Sequence, residues 1–155
     1  MSVLVRRVAL GAIGLAVVIQ VFRPSRTNPP IDVQQAAALN VDADVQPAID
    51  RSCNDCHSGR TVWPWYSEVA PISWLVASDV NGGRRHMNVS EWGMYPGYKR
   101  EDLLNQICEA VTKRDMPPWT YLLVHQDAQL NDSDREAICR WTKAAVAVQP
   151  LATPN

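Results

Sequence analysis

The chain has 155 residues, 46% of them apolar and 20% charged, a globular balance with room for one domain, which excludes a disordered chain and a multidomain enzyme. The net charge of −1 hides an asymmetry: residues 1–26 hold four arginines (Arg6, Arg7, Arg23, Arg26) and no acid, so residues 27–155 hold 11 basic and 16 acidic side chains, or −5. A mildly acidic body without a basic stripe excludes nucleic acid as a partner. Six Trp and four Tyr against a single Phe need a large flat apolar surface, a big core or a ligand to pack against. Eleven Pro against seven Gly predict a loop-rich fold with stiff corners.

In chain order, Arg6 and Arg7 precede an apolar run from Val8 to Phe22 broken only by Gln20. This is the pattern of a secretory signal or an uncleaved signal anchor. Fifteen helical residues span roughly 22 Å against a hydrocarbon core of roughly 30 Å. Counting from Val3, with the two arginines snorkelling, gives twenty residues and a sufficient length. Phe22-Arg23-Pro24-Ser25 is a poor cleavage site, and the run lacks the polar face of a helix packed on a core. Residues 1–23 are therefore expected to form a signal anchor or single transmembrane helix. The positive-inside bias puts the N-terminus in the cytoplasm, and the body then faces the periplasm from the bacterial inner membrane.

Residues 24–40, with three Pro and an Ala run, read as a tether, and the compact domain is expected over 41–150. It is predicted to be all-α with long loops, since no segment alternates with period two. A short helix is expected over Val45–Arg51, capped by Asp42 or Asp44, with Pro47 in its first turn. A second runs from Pro71 to Val80 and ends at Gly82-Gly83. A third, Arg100–Arg114, places Leu103, Leu104, Ile107, Cys108 and Val111 on one face. The last begins at a capping box, Ser133-Asp134-Arg135-Glu136, with Ala137, Ile138, Trp141, Ala144, Ala145 and Val148 as its apolar face.

Cys53-Asn54-Asp55-Cys56-His57 carries the chemistry. The spacing C-x-x-C-H is the attachment signature of a c-type haem: two thiols add to the vinyl groups and the adjacent imidazole reaches the iron. A zinc site needs a second ligand pair that is missing, a thioredoxin-like pair needs a βαβ context, and a chance occurrence is the remaining alternative. A haem also gives the aromatic residues a surface, with Trp63, Trp65, Tyr66 and Trp74 as candidate walls, although several Trp belong to the core. Arg60 is a candidate propionate partner or a solvated surface residue.

Candidates for the sixth ligand are Met87, Met94, Met116, His86 and His125. Met116 is preferred because it follows the helix expected over Arg100–Arg114 and Met116-Pro117-Pro118-Trp119 stiffens its loop. Cys108 and Cys139 form an even leftover pair, open between a disulfide and two buried thiols.

Several further motifs carry a family resemblance: Ile19-Gln20-Val21-Phe22-Arg23-Pro24, Trp63-Pro64-Trp65-Tyr66, Ala70-Pro71-Ile72-Ser73-Trp74-Leu75, Asn88-Val89-Ser90-Glu91-Trp92, and Met116-Pro117-Pro118-Trp119 with Tyr121 and His125. Together with Cys53–His57, in this order, they resemble the small bacterial haem-binding domain proteins, membrane-anchored relatives of the c-type cytochromes. The resemblance implies a cytochrome c-like helical domain and one covalent haem c, with Cys53, Cys56 and His57 holding it and Met116 as the matching distal candidate. Gln126, where relatives have Pro, and the Cys108/Cys139 pair depart from the pattern. The resulting expectation is an electron carrier rather than an enzyme, with His57 and Met116 on the iron. Its redox partners would present a basic docking patch to the −5 body, and the membrane is reached through the N-terminal helix. The competing expectation is a haem sensor or small-ligand binder with an open or labile sixth position.

Overall fold

The computed structural model describes residues 2–148, so the end expected for the domain, at residue 150, lies outside the described residues. Among the described residues there is no strand, in agreement with the all-α expectation.

The first helix, α1, runs over Val3–Ile19. It has 17 residues, about 25 Å at 1.5 Å per residue. Among the described residues no helix is long and apolar enough to cross a membrane, which overturns both the expected transmembrane helix and the inner-membrane location built on it. The twenty-residue count failed at its C-terminal end. The helix stops at Gln20, whose side chain turns onto the domain: Nε2 donates to the Ala70 carbonyl (3.1 Å) and Oε1 accepts from the Ala70 amide (2.9 Å). Arg6 and Arg7 fall within the remaining 17 residues.

Residues 24–40, read as a tether, run against the domain. Arg26 pairs with Glu68, and Asn28 Nδ2 donates to the Thr61 carbonyl (2.9 Å). The segment contains a short helix, α2 (Val33–Ala37), whose Asp32 cap accepts from the amides of Gln34 and Gln35. Gly93 lets α2 lie close to the 3₁₀ turn Val89–Met94: a Cβ there would come within 3.3 Å of Gln35 Cα.

The core is built from α3 (Gln46–Ser52), α6 (Gly97–Lys113) and α8 (Asp132–Val148). Val45, Ile49, Leu103, Leu104, Val111, Leu130, Ile138 and Trp141 form one buried cluster with Met87 and Trp92. The 3.6-residue spacing of Leu103, Leu104, Ile107 and Val111 gave α6 its inward face, as expected. Trp141 is buried with its indole satisfied, donating to the Asn40 carbonyl at 2.8 Å.

Boundaries moved where side chains competed for the caps. The start of α8 is a reciprocal box formed by Asn131 and Asp134, not Ser133 and Glu136: Asn131 Oδ1 accepts from the Asp134 amide (2.8 Å) and Asp134 Oδ2 from the Asn131 amide (3.0 Å). Arg51 also donates to Asp134 Oδ2 at 2.6 Å, a long-range tie that no local pattern contains. The expected acidic cap of α3 is absent; Val45 sits there without a side-chain hydrogen bond.

α6 closes with Arg114 in the left-handed region (φ 62°), where the Asp115 amide reaches back to the Ala110 carbonyl at 3.0 Å. An L side chain is disfavoured there by roughly 1 kcal/mol relative to glycine. Its ion pair with Asp132 (3.5 Å) is highly exposed on both sides and contributes little. Arg114→Gly is therefore expected to raise the unfolding midpoint in urea, by a gain of about 0.5–1 kcal/mol; an unchanged or lower midpoint contradicts this account of the cap.

Candidate functional site

The Cys-x-x-Cys-His run forms the corner between two helices. Cys53 ends α3, where its amide donates to the Ile49 carbonyl (3.0 Å), and it begins α4 (Asn54–His57), where its carbonyl accepts from the His57 amide (2.9 Å). Its backbone (φ −125°, ψ −41°) bends the chain between them. A single turn of α4 thus fixes both thiols and the imidazole relative to one another.

The long helix α5 (Ile72–His86) packs on this corner and continues through Gly82-Gly83 instead of ending there. Gly83 serves a close approach. A Cβ there would lie 2.5 Å from the Cys56 carbonyl oxygen and 3.0 Å from Cys56 Cβ, so no side chain fits without moving backbone. The last turn of α5 also carries Arg84, whose guanidinium donates to the Ser58 carbonyl (2.8 Å), the Thr27 carbonyl (3.0 Å), Asn28 Oδ1 (2.7 Å) and Thr61 Oγ1 (2.7 Å). Arg84 therefore fastens the loop that leaves His57 to the segment preceding α2.

Where α5 ends, Met87 supplies the orienting contact. His57 Nδ1 lies 3.1 Å from the Met87 carbonyl oxygen. A carbonyl can only accept, so Nδ1 carries the proton and the lone pair of Nε2 is left for a metal. Burial pulls the His57 pKa down, with the Met87 carbonyl acting in the opposite direction, so the ring is the neutral form that ligates. Burial is likewise the largest cause raising the Cys53 thiol to about 12 and the Cys56 thiol to about 11. Both are free thiols and are held protonated.

Cys53, His57 and Met116 open onto a single cleft of about 260 Å³ whose walls include Met87 and, from α6, Leu103, Ile107 and Val111. Its surface is mostly apolar, and Glu109, Lys113 and Asp115 are the carboxylates and ammonium among its lining residues. Cys56 is not in this lining; it faces α5 at Gly83. A second cleft of about 230 Å³ includes Arg60 but neither Cys53 nor His57.

The other expectations fare unevenly. His86 and Met87 border the cleft, but the Met87 side chain is a core member and its carbonyl is committed to His57. His125 is occupied elsewhere: Nε2 is 2.6 Å from Tyr66 Oη and the ring stacks on Tyr121 at 4.1 Å. Met94 is exposed on the 3₁₀ turn Val89–Met94. None of the aromatic residues expected to wall a haem lines the cleft; Trp65 and Trp74 are exposed, Trp63 lies beside Arg84, and Tyr66 is hydrogen-bonded to His125. Gly83 and the Met87 carbonyl were missed. A glycine inside a helical pattern signals close packing as well as termination, whereas a backbone acceptor thirty residues away leaves no local mark.

The group that fits these residues is a haem. Two free thiols flank one helical turn, a neutral imidazole has its tautomer fixed, and the Met116 thioether shares one cleft with Cys53 and His57. An all-helical domain organised in this way is a haem-binding module by class. Residues 14–144 match the family model of the haem-binding domain, and the chain belongs to that family. No curated protein and no solved structure matches it significantly.

Proposed function

We propose that this haem-binding protein is a monohaem c-type cytochrome that transfers single electrons and has no catalytic role. The observation that carries the reading is the His57 Nδ1 to Met87 carbonyl contact, with Cys53, His57 and Met116 on one apolar cleft. Cys53 and Cys56 would each add across a haem vinyl group: an S–C bond forms, the thiol hydrogen goes to the neighbouring carbon, and no oxidant is consumed. His57 Nε2 would be the proximal ligand, held by the Met87 carbonyl. Met116 Sδ would be the distal ligand, a pairing that raises the reduction potential. When bound, the haem supplies a reversible one-electron change at iron. Leu103, Ile107 and Val111 of α6 would shield part of it from water, and the Met87 carbonyl would hold His57 in place through that change.

The sequence contains one Cys-x-x-Cys-His run, hence one haem. The −5 of residues 27–155 favours redox partners with a basic docking patch, so that association weakens as salt rises. The competing reading, a sensor or ligand binder with an open iron, draws on Met116 being 42% exposed.

The test compares the wild type with Met116→Ala, both matured with haem. The wild type is expected to show a reduced low-spin spectrum that CO leaves unshifted. Met116→Ala is expected to bind CO promptly and to have a lower reduction potential. Identical spectra and potentials for the two proteins would remove Met116 from the iron, and prompt CO binding by the wild type would favour the sensor.

A further inference from the structure

We infer that Tyr121 is a positioning residue, a strut from the attachment corner that holds the Met116 segment at its working distance; this rests on the His57/Met116 reading. Asp55, the second spacer residue of the motif, has both carboxylate oxygens engaged. Oδ1 accepts from the Val62 amide (2.9 Å) and Oδ2 from the Tyr121 hydroxyl (2.8 Å). Its backbone carbonyl accepts from Thr61 Oγ1 (2.6 Å), so the acceptor itself is fixed.

Tyr121 lies in the short helix α7 (Trp119–Leu122), five residues after Met116. Pro117 and Pro118 fill much of the interval, and the Pro118 carbonyl accepts from the amides of Tyr121 (3.0 Å) and Leu122 (3.2 Å). Stiff prolines transmit the position of Tyr121 to Met116 with little conformational freedom between them. On its other side Met116 hangs from the end of α6, its amide 3.4 Å from the Ala110 carbonyl. The segment is thus suspended between α6, a wall of the cleft, and Asp55, two residues from His57.

A second bond keeps the phenol aimed. His125 stacks face to face on Tyr121 (4.1 Å, 10°) while its Nε2 is held by Tyr66 Oη at 2.6 Å. Trp119, on the same turn, is 72% exposed. The Tyr121 hydroxyl therefore ties this turn to the residues around His57. Loss of a hydrogen bond to a charged acceptor converts to a factor of about ten or more in the population of a detached segment.

The test is the rate of CO binding to the reduced holoprotein in wild type, Tyr121→Phe and Tyr66→Phe, together with the thioether–iron charge-transfer band of the oxidised protein. Tyr121→Phe keeps the ring and its stack but is expected to bind CO about tenfold faster or more and to weaken that band. Tyr66→Phe leaves the Asp55 bond intact and frees only the stacked His125, so its rate is expected to lie between those of wild type and Tyr121→Phe, within about threefold of wild type. A Tyr121→Phe rate equal to wild type, while Met116→Ala binds CO promptly, overturns the strut and leaves the Met116 reading standing. Prompt CO binding by the wild type overturns the Met116 reading itself and the strut with it.

Discussion

Replacing Cys108 and Cys139 together by serine is expected to lower the free energy of unfolding by about 3–4 kcal/mol. The two residues are joined in a disulfide across 31 positions, tying α6 to α8. A cross-link of that length removes loop entropy from the unfolded chain, and the native packing around it needs no other change. The bridge also fixes the helix that walls the cleft: Ile107 and Val111 of α6 flank Cys108 in sequence and face the cleft. Urea unfolding of the two proteins at equal haem content measures the difference. Loss of stability by less than about 1 kcal/mol would show that the unfolded chain gains little freedom when the bridge is gone.

Gly82→Ala is expected to stabilise the protein, whereas Gly83→Ala is expected to bring no gain or a loss, although the residues are neighbours in one helix. Alanine gains roughly 0.8–1 kcal/mol over glycine in a helix interior, and both positions are interior to α5. At Gly82 the nearest atom to a new Cβ, at 3.9 Å, is the end of the flexible Arg85 side chain, so that gain is realised. At Gly83 the Cβ would meet the Cys56 carbonyl at 2.5 Å, and the obstacle is backbone. Moving α5 away from the corner costs about 1–3 kcal/mol, which cancels or exceeds the propensity gain. The larger consequence is local, because the same displacement carries the Met87 carbonyl away from His57 Nδ1. Gly83→Ala should therefore mature with less haem and show a shifted reduction potential, while Gly82→Ala matures as wild type. Equal haem yield and potential in both variants would contradict the close-approach role of Gly83.

The difference between those glycines also separates what a local pattern carries from what it does not. A Gly-Gly pair after an apolar helix reads as termination because the penalty for glycine in a helix is local and visible. The benefit at Gly83 is contact with Cys56, 27 positions earlier, and is invisible to a local pattern. The same division runs through the molecule. The face of α6 was legible because Leu103, Leu104, Ile107 and Val111 repeat at helical spacing. The box that starts α8 was misplaced because Asn131/Asp134 and Ser133/Glu136 both satisfy the capping pattern, and only the former pair makes the two bonds. The apolar run after Arg7 was legible as a helix, yet its length was overcounted because Gln20 prefers Ala70 of the domain to another helical turn. At the site, C-x-x-C-H fixed the cofactor class through chemistry alone. The aromatic wall did not follow, because Trp excess reports a need for packing without saying against what. Here Trp92 and Trp141 answer it in the core, and Trp65, Trp74 and Trp119 remain exposed.

Covalent attachment of a haem at Cys53 and Cys56 beside His57 is read from the mass of the purified chain. The protein is made in a host with c-type maturation, denatured, and treated to extract non-covalent haem. The expected result is a chain heavier by one haem, with one linkage lost in each of Cys53→Ser and Cys56→Ser. A chain of unmodified mass, with haem recovered in the extract or never bound, would contradict it.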